Sequence, residues 1–116
     1  MKVAIVGSRT VGAAYYTAMC EKVPIGASMI ISGGAEGADM LARRYAHECG
    51  LAYVEIRPDY QAFGRSATLE RNKEIVRRAD YVLVLWDGQS HGSAFVMKHC
   101  IDTGTPVRVV LCHPEE

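Results

Sequence analysis

Ser32-Gly33-Gly34-Ala35-Glu36-Gly37-Ala38-Asp39 sets three glycines between an apolar run, residues 29–31, and a run of helical period: Ala38, Leu41, Ala42, Tyr45, Ala46, Cys49. Glycines in a strand-to-helix turn let backbone N–H groups come close to an anion. The helix start adds a partial positive charge of about +0.5. The chemistry is that of a phosphate cradle, with Ser32, Gly33, Gly34 and Gly37 as its candidate contacts. Two further turns are built alike, Gly7-Ser8-Arg9 and Asp87-Gly88-Gln89-Ser90-His91-Gly92-Ser93. Each offers glycine, a small hydroxyl and helix-start N–H groups, or else is plain turn chemistry. Arg9 brings a planar cation suited to paired hydrogen bonds with phosphate. Ser93 either caps the helix it opens or donates to phosphate.

Other polar residues carry two readings each. Arg71 and Asn72 open a helix; Arg71 is either a solvated cation or a clamp on phosphate or ribose. Asp39 stabilises its helix start and could accept a ribose hydroxyl. Asp39, Asp87 and Arg71 are the weak candidates for catalysis, and the catalytic residues are otherwise unassigned. Tyr60 and Phe63 stack on a base or anchor their loop by packing. Glu36 points outward or repels phosphate, His91 is a solvated loop residue or a phosphate donor, and Trp86 reads as packing.

The elements that must position these groups follow from periodicity. Residues 3–6, 29–31, 51–56, 81–86 and 107–111 are short apolar runs that read as strands. Between them lie helical stripes: Val11 to Met19, Ala38 to Cys49, Leu69 to Ala79, and residues 93–103, closed by Gly104. Residues 57–67 show no clear period and read as a long loop. Strands alternating with helices imply an α/β fold. It reads as one Rossmann-like three-layer domain over residues 1–116, its five-stranded parallel sheet in the order 3-2-1-4-5. Ligands of such sheets sit beyond the carboxyl ends of the strands, at the switch between strands 1 and 4. The three glycine turns should therefore meet there.

Composition narrows the classes. With 116 residues, nearly half of them apolar, the chain fits one domain with its own core. Lys+Arg and Asp+Glu both total 13, so bulk charge draws it neither to nucleic acid nor to a membrane surface. No apolar run approaches the roughly 20 residues of a membrane span. The first strand begins so close to Met1 that a signal peptide has no room, which makes the expected setting cytoplasmic. Cys20, Cys49, Cys100 and Cys112 form no Cys-x-x-Cys pair and read as free thiols; no metal site is expected. Neither Gly-x-Gly-x-x-Gly after strand 1 nor Gly-x-x-x-x-Gly-Lys-Ser/Thr is present, against an ordinary NAD-dependent dehydrogenase or a standard NTPase.

Four segments resemble the SLOG superfamily, whose members include the LOG hydrolases and the DprA proteins: residues 3–10, 31–39, 70–72 and 86–93. The likeness is strongest to the small single-domain YspA/YpsA-related branch. It implies a Rossmann-like fold, a homo-oligomeric habit and a pocket for a nucleotide or nucleotide-derived ligand, such as an ADP-ribose-like molecule. Many relatives are inferred to sense or process such ligands in prokaryotic conflict systems. The LOG hydrolases carry an Arg that Arg71 matches, and a catalytic Glu whose position falls at Val96, after Phe95. Neither side chain can act as an acid or a base. The expected function is thus binding of a nucleotide-type ligand, by sensing or sequestering, with no required cofactor. The alternative is an N-glycosidic or phosphoester hydrolase that uses Asp39, Asp87 or Glu70. A third reading, a single-stranded nucleic-acid binder, would show itself by steep salt dependence. A homodimer or larger is expected through the third and fourth helices, because the fourth carries Phe95, Val96, Met97 and Ile101 over a wide arc.

Overall fold

Val3, Ala4, Ile5 and Val6 are all buried because β1 (Lys2–Gly7) runs through the sheet centre and is covered on both faces. The computed structural model describes residues 1–113. Its other strands are β2 (Met29–Ser32), β3 (Ala52–Glu55), β4 (Tyr81–Trp86) and β5 (Val107–Leu111). All pair in parallel, in the order β3-β2-β1-β4-β5. The architecture is the α/β sandwich that the alternation predicts.

Strand side chains alternate between two cores. Val3, Ile5, Ile30, Leu83 and Leu85 face α1 (Tyr16–Lys22) and α2 (Ala38–Glu48), which contribute Met19, Leu41 and Ala42. Ala4, Val6, Ile31, Val82 and Val84 face the other way, onto Ile75, Val76, Val96 and Cys100. Those four belong to the helices that the sequence reads as third and fourth. Between them and β3 the chain departs from expectation.

The loop read over residues 57–67 holds a short helix, α3 (Tyr60–Phe63), followed by a 3-10 turn, Gly64–Ser66. Asp59 nucleates it, its carboxylate accepting the Ala62 N–H at 3.0 Å, a cap too local to produce a periodic stripe. The two long helices that follow are α4 (Ala67–Arg78) and α5 (His91–Thr103). The first helix also starts later than its stripe suggests. Gly12 is extended, a 3-10 turn covers Ala13–Tyr15, and Val11 is buried in the turn ahead of the helix.

Candidate functional site

Ser8 ties the three glycine turns together. It is buried at the end of β1. Its Oγ accepts the N–H of Asp87 at 3.0 Å, and its carbonyl accepts the N–H groups of Ala38 at 3.2 Å and Val11 at 3.3 Å. Thr10 Oγ1 donates to Asp87 Oδ2 at 2.9 Å. The turns after β1, β2 and β4 therefore converge at the carboxyl edge of the sheet.

That convergence uses up much of the cradle after β2. The Ala38 N–H, first of α2, is spent on Ser8, and the Ala35 N–H goes to Asp39 Oδ2 at 3.0 Å. Gly37 has φ +70°, and a Cβ there would run into the backbone carbonyls of Ser8 and Arg9. Those carbonyl dipoles are acceptors, so they do not favour an anion at that point. Gly33 is a glycine because Arg71 lies against it: Arg71 Nη1 donates to the Gly33 carbonyl at 2.9 Å. A Cβ at Gly34 would meet the Glu55 side chain rather than open space. Here the glycines let structural elements approach one another.

The turn after β4 is different. Asp87 Oδ1 accepts the N–H groups of Gln89 at 2.9 Å and Ser90 at 2.8 Å. These bonds hold its pKa down to about 2, with burial opposing weakly and Thr10 and Ser8 assisting. The bend leaves Ser90 extended, so Ser90 caps α5, its Oγ 3.5 Å from the Ser93 N–H. The helix thus opens two residues before the expected Ser93, because the cap is made by the residue that Asp87 orients. The His91 and Gly92 N–H groups make no hydrogen bond to a described residue, and a Cβ at Gly92 would meet nothing within 4 Å. This helix start is open, with two N–H groups unpaired among the described residues and no atom over the Gly92 position.

These parts surround a cleft of about 360 Å³. Gly7, Val6 and Val96 contribute to its wall, with Asp87, Ser90, Gly92 and Ser93 on the α5 side and Asp39, Arg71 and Asn72 opposite. A second lobe of about 390 Å³ holds Gly33, Gly34, Arg57, Pro58 and Tyr60. Arg9, Ala35, Thr68 and Arg71 belong to both lobes. Neither Arg9 nor Arg71 is within ion-pair distance of a described carboxylate. Burial lowers the pKa of Arg71, and nearby Asp39 partly offsets this; an arginine stays charged regardless. Asn72 Oδ1 accepts from Arg71 Nε at 2.8 Å, which turns the Asn72 amide N–H groups free to donate. Asp39 is only 5% exposed, and burial raises its pKa against the Ala35 N–H and Arg71.

Four expected contact residues do not reach the cleft. Ser8 and Gly37 lie beneath it, joining turns, and Gly88 takes φ +84° in the bend beside Leu111. Ser32 is buried in a polar chain, its Oγ 2.6 Å from Tyr53 Oη, which donates to Glu55 at 3.1 Å. Tyr60 reaches the second lobe, whereas Phe63 sits on another side of α4. Glu36 and His91 line neither lobe. Thr10, Thr68 and Arg57 enter without having been singled out. Thr68 stands one helical turn before Arg71, a spacing that could have found it.

The locked Asp87 carries a pH signature. A carboxyl held below its unfolded value of about 3.9 stabilises the fold above that pH and loses the contribution as pH falls through about 2. Asp39, with its pKa raised, works in the opposite sense. Asp87→Asn should therefore be less stable than wild type at pH 6, with the gap closing between pH 4 and 2. A gap in denaturation midpoint that is constant over that range would contradict the assignment.

Among the described residues no helix is long and apolar enough to cross a membrane, and no three His, Cys, Asp or Glu side chains group as a metal site. Comparison with curated proteins and with solved structures finds no match. The model of the YspA, cpYpsA-related SLOG family matches residues 1–63, from β1 through α3, and so takes in the first two glycine turns. Spanning more than half of the chain, in a fold whose sheet order and turns agree with that resemblance, the match makes this protein a member of the YspA, cpYpsA-related SLOG family.

Proposed function

We propose that the cleft binds a nucleotide or nucleotide-derived ligand and that the protein senses or sequesters it. The observation that carries this reading is the pairing of two arginines without an ion-pair partner among the described residues, Arg9 and Arg71, with the open start of α5 in one cleft. Together they offer a phosphate a charged fork on one side and helix-start N–H groups on the other. Two lobes meeting at these arginines suit a ligand with parts on either side of its phosphates, such as an ADP-ribose-like molecule, with exposed Tyr60 available to stack. The membership in a SLOG family agrees with a nucleotide-related role. Contacts from Gly7, Arg9, Gly33, Gly34, Asp39, Arg71, Asn72, Asp87, Ser90, Gly92 and Ser93 belong to this proposal.

The test is titration of the protein with nucleoside monophosphates, NAD and ADP-ribose by calorimetry, alongside Gly92→Leu. A side chain at position 92 enters open space and replaces a poor helix former, gaining up to about 1 kcal/mol of helix propensity. We expect Gly92→Leu to fold at least as stably as wild type and to lose binding at least 10-fold. Equal affinities would remove the α5 start from the site, and no binding of any of these ligands by wild type would overturn the reading.

A hydrolase is the second reading, favoured by Asp39: a buried carboxyl with a raised pKa in a cleft is a candidate acid or base. Asp87 suits this less, since its oxygens already accept three hydrogen bonds. Release of free base in proportion to enzyme, lost in Asp39→Asn, would establish hydrolysis.

Assembly as a homodimer through α4 and α5 belongs to the same proposal. Leu69 and Ile101 are exposed there, as are Val109 and Leu111 on neighbouring β5. Four unbonded cysteines fit a reducing, cytoplasmic setting. Light scattering should give a dimer mass or larger; a monomer at all concentrations would refute the assembly.

A further inference from the structure

Asp39 has one oxygen that the fold does not use. Oδ2 holds the β2–α2 turn through the Ala35 N–H, while Oδ1 is buried and makes no hydrogen bond to a described residue; the Gly33 N–H is near enough to the carboxylate to lower its pKa slightly. Leaving a buried carboxylate oxygen unpaired costs free energy, and such groups in native proteins call for an explanation. Turn geometry does not supply one, because a single acceptor suffices for Ala35. Arg71 does not supply one either, since its Nη1 and Nε are directed to Gly33 and Asn72.

The position of Asp39 narrows what could satisfy it. A Cβ on Gly33 would stand 2.8 Å from Arg71 Cζ and 3.1 Å from Asp39 Oδ2. Guanidinium and carboxylate thus flank the same residue, and Asp39 and Arg71 both line the same cleft, with Oδ1 just beneath its surface. An anion engaged by Arg71 brings its neighbouring atoms next to Asp39. Phosphate oxygens are repelled by a carboxylate, so the partner of Oδ1 must be a donor covalently close to the phosphate. In a phosphorylated ribose the ring hydroxyls meet that condition, whereas base amino groups lie on the far side of the sugar.

We propose that Asp39 Oδ1 accepts a ribose hydroxyl, which makes Asp39 the residue that selects ribose phosphates over deoxyribose phosphates and over bare anions. The inference rests on the anion-binding reading of the same cleft. Burial that raises the Asp39 pKa agrees with a carboxyl kept from water.

The experiment titrates wild type and Asp39→Asn with inorganic pyrophosphate, ribose 5-phosphate, 2-deoxyribose 5-phosphate and 3-deoxyribose 5-phosphate. Asparagine keeps the acceptor for Ala35 but presents a donor, or nothing, to the hydroxyl. Wild type is expected to bind ribose 5-phosphate about 10-fold or more tighter than at least one deoxy sugar. Asp39→Asn is expected to lose that advantage while binding pyrophosphate at least as well as wild type does. Equal binding of all three sugars by wild type, or an advantage that survives in Asp39→Asn, overturns the role of Asp39. Should the variant fail to fold, the deoxy comparison on wild type decides alone. Failure of wild type to bind pyrophosphate overturns the anion-binding reading itself, and pyrophosphate binding without ribose 5-phosphate binding overturns only the present inference.

Discussion

Arg71→Ala should weaken binding of whichever nucleotide the wild type takes by about 10- to 150-fold, or ~1.5–3 kcal/mol, the range for a hydrogen bond to a charged group. Arg71 is half-buried, unpaired with any described carboxylate, and shared by both lobes of the cleft. Its Nη1 and Nε are anchored to Gly33 and Asn72, so the guanidinium is oriented before a ligand arrives and little entropy is lost on binding. The same substitution removes the bond to the Gly33 carbonyl and should cost about 1 kcal/mol of stability, a loss small enough for the variant to stay folded. Arg71→Lys should recover only part of the affinity, because a lysine cannot keep both anchors and still present a planar fork. Calorimetric titration with thermal unfolding as a control measures both effects. Unchanged affinity in folded Arg71→Ala would remove Arg71 from the site.

Gly37→Ala is expected to be strongly destabilising, at about 3 kcal/mol or more. At φ +70°, ψ −121° the backbone occupies a region that side chains avoid. The added Cβ would also press on the carbonyls of Ser8 and Arg9, which are rigid backbone. Relief would separate the turn after β1 from the start of α2 and break the Ala38–Ser8 bond of 3.2 Å. The consequence reaches function, since Arg9 would move with its turn. Gly50→Ala provides the contrast. Gly50 also has positive φ, at +64°, but a Cβ there meets nothing within 4 Å, so only left-handed strain of about 1–2 kcal/mol applies. Urea denaturation should rank the two variants in that order, and near-equal midpoints would show that the packing of the turns contributes little.

The periodicity of 116 residues was enough to determine the sheet. Apolar runs alternating with helical stripes have one economical arrangement, a parallel sheet covered on both faces, and the right-handed crossover restricts the strand order. The observed order and the convergence of the three glycine turns follow from that pattern. Arg71 was legible in part: a residue at the start of a helix before β4 lies at the carboxyl edge, but sequence left it open between a solvated cation and a clamp.

How many backbone donors each glycine turn keeps was decided by tertiary structure alone. Ser32 to Asp39 reads as a phosphate cradle because sequence reveals donors but not their partners. In the fold, Ser8 and Asp39 take the Ala38 and Ala35 N–H groups, and the carbonyls of Ser8 and Arg9 crowd Gly37. The turn after β4, built alike, leaves the His91 and Gly92 N–H groups free because Asp87 takes only those of Gln89 and of Ser90, the cap itself. The solitary Oδ1 of Asp39 was equally invisible. A residue type states how many hydrogen bonds it can make; only the packing around it determines how many remain for a ligand.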